Sequence, residues 1–260
     1  METLNFDVAG YLHRIGMEMP GKTDLETLEK VTRAHLLAVP FENLTVFDEH
    51  QEPSLEPEDL FDKVVNRNRG GYCFELNKLY YLLVQGLGYD CYPIPVRIIH
   101  RRPEPVGISH RGTMVRLNGK RYFGDVGFGG AGPKGMICLD TEEEQVIAGE
   151  RFRVRPDGST MVIINLEEGF DDPVLRIHDM PWPEPDFLTL NRYYSTYHGS
   201  PFVNKRVLYI STPQGWKSLA DKVFTVKENG VKTVQTLETE EQVIAVIRKH
   251  FGLEVPACAI

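Results

Sequence analysis

The clearest periodicity lies in residues 23–40, TDLETLEKVTRAHLLAVP, where Leu25, Leu28, Val31 and Leu36 recur near helical spacing. Thr23 and Glu26 stand three apart in a capping-box pattern and Pro40 closes the run, so the spacing predicts a helix between them. A second helix is expected over residues 56–67, EPEDLFDKVVNR. A third starts around Cys73, with Leu76, Leu79, Tyr80 and Leu83 as its apolar stripe and Gly86 or Gly88 as its stop. The N-terminal third is therefore helical.

From Tyr89 the texture changes to short β-prone runs separated by turn residues: CYPIPVRII, HRGTMVRL, KRYFGDVGF, QVIAGERFRV and TMVIINL. They predict a β domain. HDMPWPEPDF, residues 178–187, is rich in proline and acidic side chains and reads as a connection. Further strands are expected in KRVLYISTPQ, WKSLADKVFTVKENG and KTVQTL. The chain closes with a helix capped by Thr239 and Gln242, with Val243, Ile244, Ile247 and Phe251 facing inward and Gly252 ending it. The pattern is that of an α+β protein without internal repeats.

Composition narrows the classes. At 260 residues, 25% charged and 42% hydrophobic, the chain has the makeup of a soluble globular protein with a substantial core. A net charge of -8 and a pI near 5.5 argue against a nucleic-acid footprint, which draws on clustered Lys and Arg. METLNFDVAG lacks the basic and apolar regions of a signal peptide, and no run approaches the ~20 apolar residues of a membrane helix. A cytoplasmic protein with no membrane or nucleic-acid partner is expected. Cys73, Cys91, Cys138 and Cys258 are scattered, without a CxxC pair or a His at ligand spacing, so neither a metal site nor a disulfide framework is indicated.

One cysteine has an unusual setting. In RGGYCFELN, residues 69–77, Gly70 and Gly71 offer a sterically open approach to Cys73, which begins a helix whose unpaired amides favour a thiolate. A buried packing thiol fits the same local pattern, and local setting alone leaves both readings open.

A nucleophilic cysteine needs a base and a group that orients the base. In SHRGTMVRLNGKRYFGDVG, Asn118 and Gly119 are the pair favoured in a two-residue type I′ turn. Leu117 then faces Lys120, and counting outward sets Gly112 opposite Asp125, with His110 two residues along on the same face. Such diagonal neighbours have α-carbons roughly 7 to 8 Å apart, and Gly112 leaves the space between them empty. The register predicts a His110–Asp125 hydrogen bond that leaves the other ring nitrogen for Cys73. Taken singly, His110 also fits a surface histidine and Asp125 a turn residue. His100, in a basic loop, is the competing histidine.

RGGYCFELN, then SH opening a strand, then YFGDVGFGG, resembles the arylamine N-acetyltransferase family. VPFENL at residues 39–44 resembles its first signature, and NRYYSTYHGSPF followed by STPQGW resembles its segment leading into the third domain, so the likeness runs along most of the chain. It implies a helical bundle (1–88) carrying the nucleophile, a β-barrel domain (89–185) carrying the His and Asp, and an α/β lid (186–260), around a cysteine-protease-like core. It also implies acetyl transfer from acetyl-CoA to arylamines, arylhydrazines or N-hydroxyarylamines by a ping-pong route, with no metal, and a place in xenobiotic metabolism.

On matching positions the resemblance makes Cys73 the acetylated nucleophile, His110 its base and Asp125 the orienting carboxylate. Phe41 and Phe128 would wall the acceptor pocket, Phe41 fitting core packing equally well. Gly127, Gly129 and Gly130 would let pantetheine pass, and Tyr193, Thr196 and Ser200 would lie near CoA. Three positions depart from the family pattern: Gly112 and Gly124 where aliphatic residues are common, and His198 in place of a proline. A papain- or transglutaminase-like thiol hydrolase and a non-catalytic binder of CoA esters or aromatic ligands are the competing classes.

Overall fold

The computed structural model describes residues 6–167 and 169–255; Cys258 lies outside them. The N-terminal helices are α1 (Val8–Arg14), α2 (Leu25–Ala38), α3 (Leu44–Phe47), α4 (Pro57–Phe61) and α5 (Cys73–Gly86), with a short strand β1 (Phe41–Glu42) between α2 and α3. The second expected helix is α4 running into a π-helical turn at Asp62–Asn66. The cap of α2 is Asp24, whose side chain accepts from Thr27 N at 2.9 Å, one residue beyond the expected Thr23. The Thr23 hydroxyl is used elsewhere, donating to Leu87 O. Leu28, Val31 and Leu36 of α2 pack with Leu76, Leu79, Tyr80 and Leu83 of α5 in one apolar core.

An eight-stranded antiparallel barrel follows: β2 (Asp90–Ile98), β3 (His110–Leu117), β4 (Lys120–Gly124), β5 (Ile137–Cys138), β6 (Gln145–Ile147), β7 (Glu150–Asp157), β8 (Thr160–Asn165) and β9 (Asp172–His178). Its order is β5-β4-β3-β2-β9-β8-β7-β6. The Gln145 side chain closes the seam between the two edge strands, accepting from Cys138 N and donating to Cys138 O, both at 2.8 Å. Strand β9 is not among the runs expected from the sequence; its Pro173, which has no N–H to give the ladder, is accommodated at a register shift between Ile163 and Ile164. Met114, Phe123, Phe152, Ile163 and Leu175 fill the barrel.

Helix α6 (Glu184–Thr196) begins inside the stretch that read as a connection. Pro183 caps it and Pro185 lies in its first turn, where a missing N–H leaves no helical bond unmade. After α7 (Pro201–Asn204), strands β10 (Val207–Thr212), β11 (Gly215–Ala220), β12 (Val223–Glu228) and β13 (Val231–Thr236) form a second sheet, backed by α8 (Glu240–Phe251). Thr239 caps α8 as expected, accepting from Gln242 N. Strand β1 joins this sheet through Phe41↔Tyr209 and also bridges to Gly71, two residues before Cys73, so the turn at the nucleophile is stitched to the C-terminal unit. Among the described residues no helix is long and apolar enough to cross a membrane, and no group of three or more His, Cys, Asp or Glu could hold a metal ion.

Candidate active site

Cys73 is the first residue of α5 and is 2% exposed. The turn before it differs from the open approach expected of its glycines. A Cβ on Gly70 would lie 2.0 Å from Pro40 O, and one on Gly71 would lie 2.9 Å from a Glu75 oxygen. Glycine is required at 70 because VPFENL packs backbone to backbone against the turn, with Glu42 N donating to Gly71 O at 2.9 Å, whereas Gly71 makes room for the Glu75 side chain.

Behind the cysteine lies a buried ionic network. Glu75 accepts from Tyr72 N at 3.0 Å, closing a capping box, and from Lys63 Nζ at 2.7 Å. Glu42 accepts from Arg69 Nε at 3.0 Å and from Leu44 N at 2.6 Å. Burial works against both carboxylates; Lys63 and Arg69 nonetheless hold Glu42 below its usual range, whereas burial wins at Glu75 and raises it.

The β3–β4 hairpin has the expected register. Leu117 faces Lys120, the pairing runs without slip to Thr113↔Gly124, and Asn118 and Gly119 both have the positive φ of a type I′ turn. Asp125 follows the last pair, and its Oδ2 lies 2.7 Å from His110 Nε2. The space over Gly112 is not empty, however: a Cβ there would lie 2.3 Å from the Phe123 ring, which fills it. Gly124 likewise makes room for Met136 and Tyr80. These two departures from the family pattern are thus matched by larger neighbours.

His110 is fully buried and Asp125 nearly so. Burial disfavours a charged imidazole, but the charge and hydrogen bond of Asp125, followed by Cys73, override it and push the ring up to about 10. Burial also opposes the Asp125 carboxylate, which His110, Asn77 and the Gly127 amide hold below its usual range. Nδ1 of His110 is buried with no well-formed hydrogen bond among the described residues, and the Cys73 thiol is the neighbour acting on the ring after Asp125.

Sequence reasoning missed Asn77. One helical turn after Cys73, its Nδ2 donates to Asp125 Oδ1 at 2.9 Å and to Arg111 O at 2.6 Å, while its Oδ1 accepts from Val126 N at 2.9 Å. Asp125 Oδ1 also accepts from Gly127 N and Phe128 N. The available signal was a polar residue at i+4 from the cysteine, inside an otherwise apolar stripe.

The aromatic rings around these groups come from four parts of the chain. Phe128 is half-buried and sets its ring edge-on to His110, with centroids 5.9 Å apart. Phe41 is buried and packs on Phe202, which in turn meets Tyr72 and Tyr194. Tyr194 stacks on Phe74, the residue after the cysteine.

A cleft of about 310 Å³ begins one residue beyond Phe128, lined by Gly129, Gly130, Tyr209, Trp216, Lys227 and Lys232 among others. Trp216 pairs across to Lys227 and Lys227 to Lys232, so they form a row on one face of the C-terminal sheet. Gly127 faces elsewhere: a Cβ there would lie 2.7 Å from Cys73 Cα, so its smallness serves contact with the nucleophile's backbone. Tyr193, Thr196 and Ser200 do not line this cleft. Tyr193 stacks on Tyr197, Thr196 donates to Arg192 O, and Ser200 caps α7 while donating to Tyr194 O. His198 lies exposed against the Tyr197 ring, and its carbonyl accepts from Asn204.

The chain matches the N-acetyltransferase family profile over residues 24–260. It is 30% identical to an arylamine N-acetyltransferase of Mycolicibacterium smegmatis, covering 96% of this chain and 92% of that protein. It is 28% identical to arylamine N-acetyltransferase 1 of Oryctolagus cuniculus, covering 96% and 94%. Among solved structures, the arylamine N-acetyltransferase of Mycobacterium marinum in complex with CoA superposes with a TM-score of 0.87 at 28% identity, over 95% of this chain and 92% of that one.

Proposed function

The chain belongs to the arylamine N-acetyltransferase family, and on that premise we propose that Cys73 carries the acetyl group between acetyl-CoA and an arylamine, with His110 as its base and Asp125 as the orienting carboxylate. The observation that carries the assignment is the 2.7 Å His110–Asp125 bond, which leaves Nδ1 of a strongly basic ring on the cysteine side.

His110 has taken the thiol proton before the attack, as a ring this basic must, and Cys73 Sγ attacks the thioester carbonyl of acetyl-CoA as the thiolate. Collapse of the tetrahedral adduct breaks the bond to the CoA sulfur, and His110 returns the proton to that leaving thiolate. The arylamine nitrogen then attacks the acetyl-Cys73 carbonyl, His110 accepts a proton from it, and the thiol is restored as the amide departs. The Cys73 amide, in the first turn of α5, is the proposed oxyanion donor.

The cleft beside Gly129 and Gly130 suits CoA: Lys227 and Lys232 offer charge to phosphates, and Trp216 and Tyr209 offer aromatic surface. Phe128 suits a flat acceptor, and arylhydrazines and N-hydroxyarylamines present the same nucleophilic nitrogen beside a ring. A thiol nucleophile that must stay reduced fits a cytoplasmic enzyme.

Intact-mass analysis after mixing with acetyl-CoA alone is expected to show one added acetyl group, absent in Cys73→Ala. An unmodified wild-type protein would overturn the acetyl-enzyme route. An arylamine should then discharge the acetyl group; discharge by water alone would instead indicate a thiol hydrolase.

A further inference from the structure

Lys134 is 6% exposed, yet it takes no part in the acetyl-transfer steps. Its Nζ donates to Gly132 O at 2.8 Å and to Gly130 O, and it faces the Tyr209 ring with Nζ 5.4 Å from the centroid. Between those two carbonyls, Ala131 O accepts from Asn165 Nδ2 at 2.9 Å. Three successive carbonyls of the loop are therefore held by side chains.

What they enclose is Phe128. A Cβ on Gly132 would lie 2.5 Å from its ring and one on Gly130 would lie 3.0 Å from it, so the two glycines wrap the ring. At the other end, Phe128 N is tied to Asp125 Oδ1 at 3.1 Å. The ring that meets His110 is thus fixed on one side by the orienting carboxylate and on the other by a loop closed around a buried ammonium.

We infer that Lys134 is a positioning residue: by closing the loop over residues 130–132 it holds the Phe128 ring against His110 and so sets how an aromatic acceptor meets the acetylated cysteine. Four charged groups act on it. Glu150 and Asp125 favour the ammonium, while Arg33 and Lys227 oppose it; burial is the largest influence and brings the amine down to about 8. Loss of its charge weakens both the carbonyl contacts and the contact with Tyr209.

The inference rests on the acetyl-transfer reading, and the two fail separately: a wild-type enzyme that acetyl-CoA does not acetylate refutes that reading, whereas the following experiment starts from acetylated enzyme. Its discharge is followed against the concentration of a neutral aromatic amine for wild type, Lys134→Met, Phe128→Ala and the double variant. Lys134→Met is expected to raise the half-saturating acceptor concentration about tenfold, an effect of misplacement, and to add little in the Phe128→Ala background. Equal loss in both backgrounds, or no loss, overturns the inference. Should Lys134→Met fail to fold, wild type and Phe128→Ala are compared between about pH 7 and pH 9, bracketing the Lys134 transition. Weakening of acceptor capture in wild type alone supports the inference; the same behaviour in both proteins, or none, overturns it.

Discussion

Asn77 and Asp125 are joined at 2.9 Å, and because Asn77 lies one turn after Cys73, this bond ties the nucleophile's helix to the carboxylate that orients the base. The same amide satisfies Arg111 O and Val126 N, so one side chain fixes helix, strand and the turn after Asp125 together. Replacing it leaves buried polar groups unpaired, each worth about 1 to 3 kcal/mol.

Asn77→Ala is accordingly expected to lower stability by about 2 kcal/mol, the middle of that range. It should also slow Cys73 acetylation by about tenfold through misplacement of the base. Denaturant unfolding and single-turnover acetylation measure the two effects, and unchanged acetylation would remove Asn77 from the positioning network.

Asp125→Asn tests the orienting role. A neutral amide accepts from the ring but does not stabilise its protonated form, so turnover should fall by about 10³ to 10⁴ while the fold persists. Steady-state assays beside circular dichroism decide this, and near-wild-type turnover would refute the role.

Stability should depend on pH from both sides of the His110–Asp125 pair. The histidine is raised from 6.5 to about 10 in the folded protein, so its contribution is complete below pH 6.5 and is lost as pH rises toward 10. Asp125 is lowered from 3.8, so its contribution is complete above that value and declines as pH falls through its folded-state transition. The difference in Tm between wild type and Asp125→Asn should therefore be largest between about pH 4 and 6.5 and shrink on either side. A difference independent of pH across that range would show the pair to be electrostatically idle.

Lys227→Gln combined with Lys232→Gln should raise KM for acetyl-CoA by about three- to tenfold with kcat nearly unchanged, as expected when uniform binding is removed. The gap should narrow with added salt, since both lysines line an open cleft. A lower kcat at unchanged KM would place these lysines in a different role.

Much of the site was legible because its rules are local. The Asn118–Gly119 turn sets a pairing register, and a register with a period of two decides which residues share a face, so the order of residues suffices to match His110 with Asp125. The start of α5 at Cys73 and the capping of α8 by Thr239 were likewise written in neighbouring residues. Where another partner competed, local signals misled: Thr23 donates to Leu87, leaving Asp24 to cap α2, and Pro183 and Pro185 read as a connection although both suit the start of α6.

By itself, then, the amino-acid order determined helices α2, α5 and α8, the change from helices to strands after Tyr89, the hairpin register and the candidacy of Cys73, His110 and Asp125. Only the tertiary structure decided that Gly70 serves the approach of VPFENL, that Phe123 fills the space over Gly112, and that Asn77 joins α5 to Asp125. It also decided that the cleft faces a row of residues on the C-terminal sheet. The division is physical: turns and periodicities are set by atoms a few residues apart, whereas a glycine's missing side chain or an amide's second partner has meaning only once distant segments have packed against it.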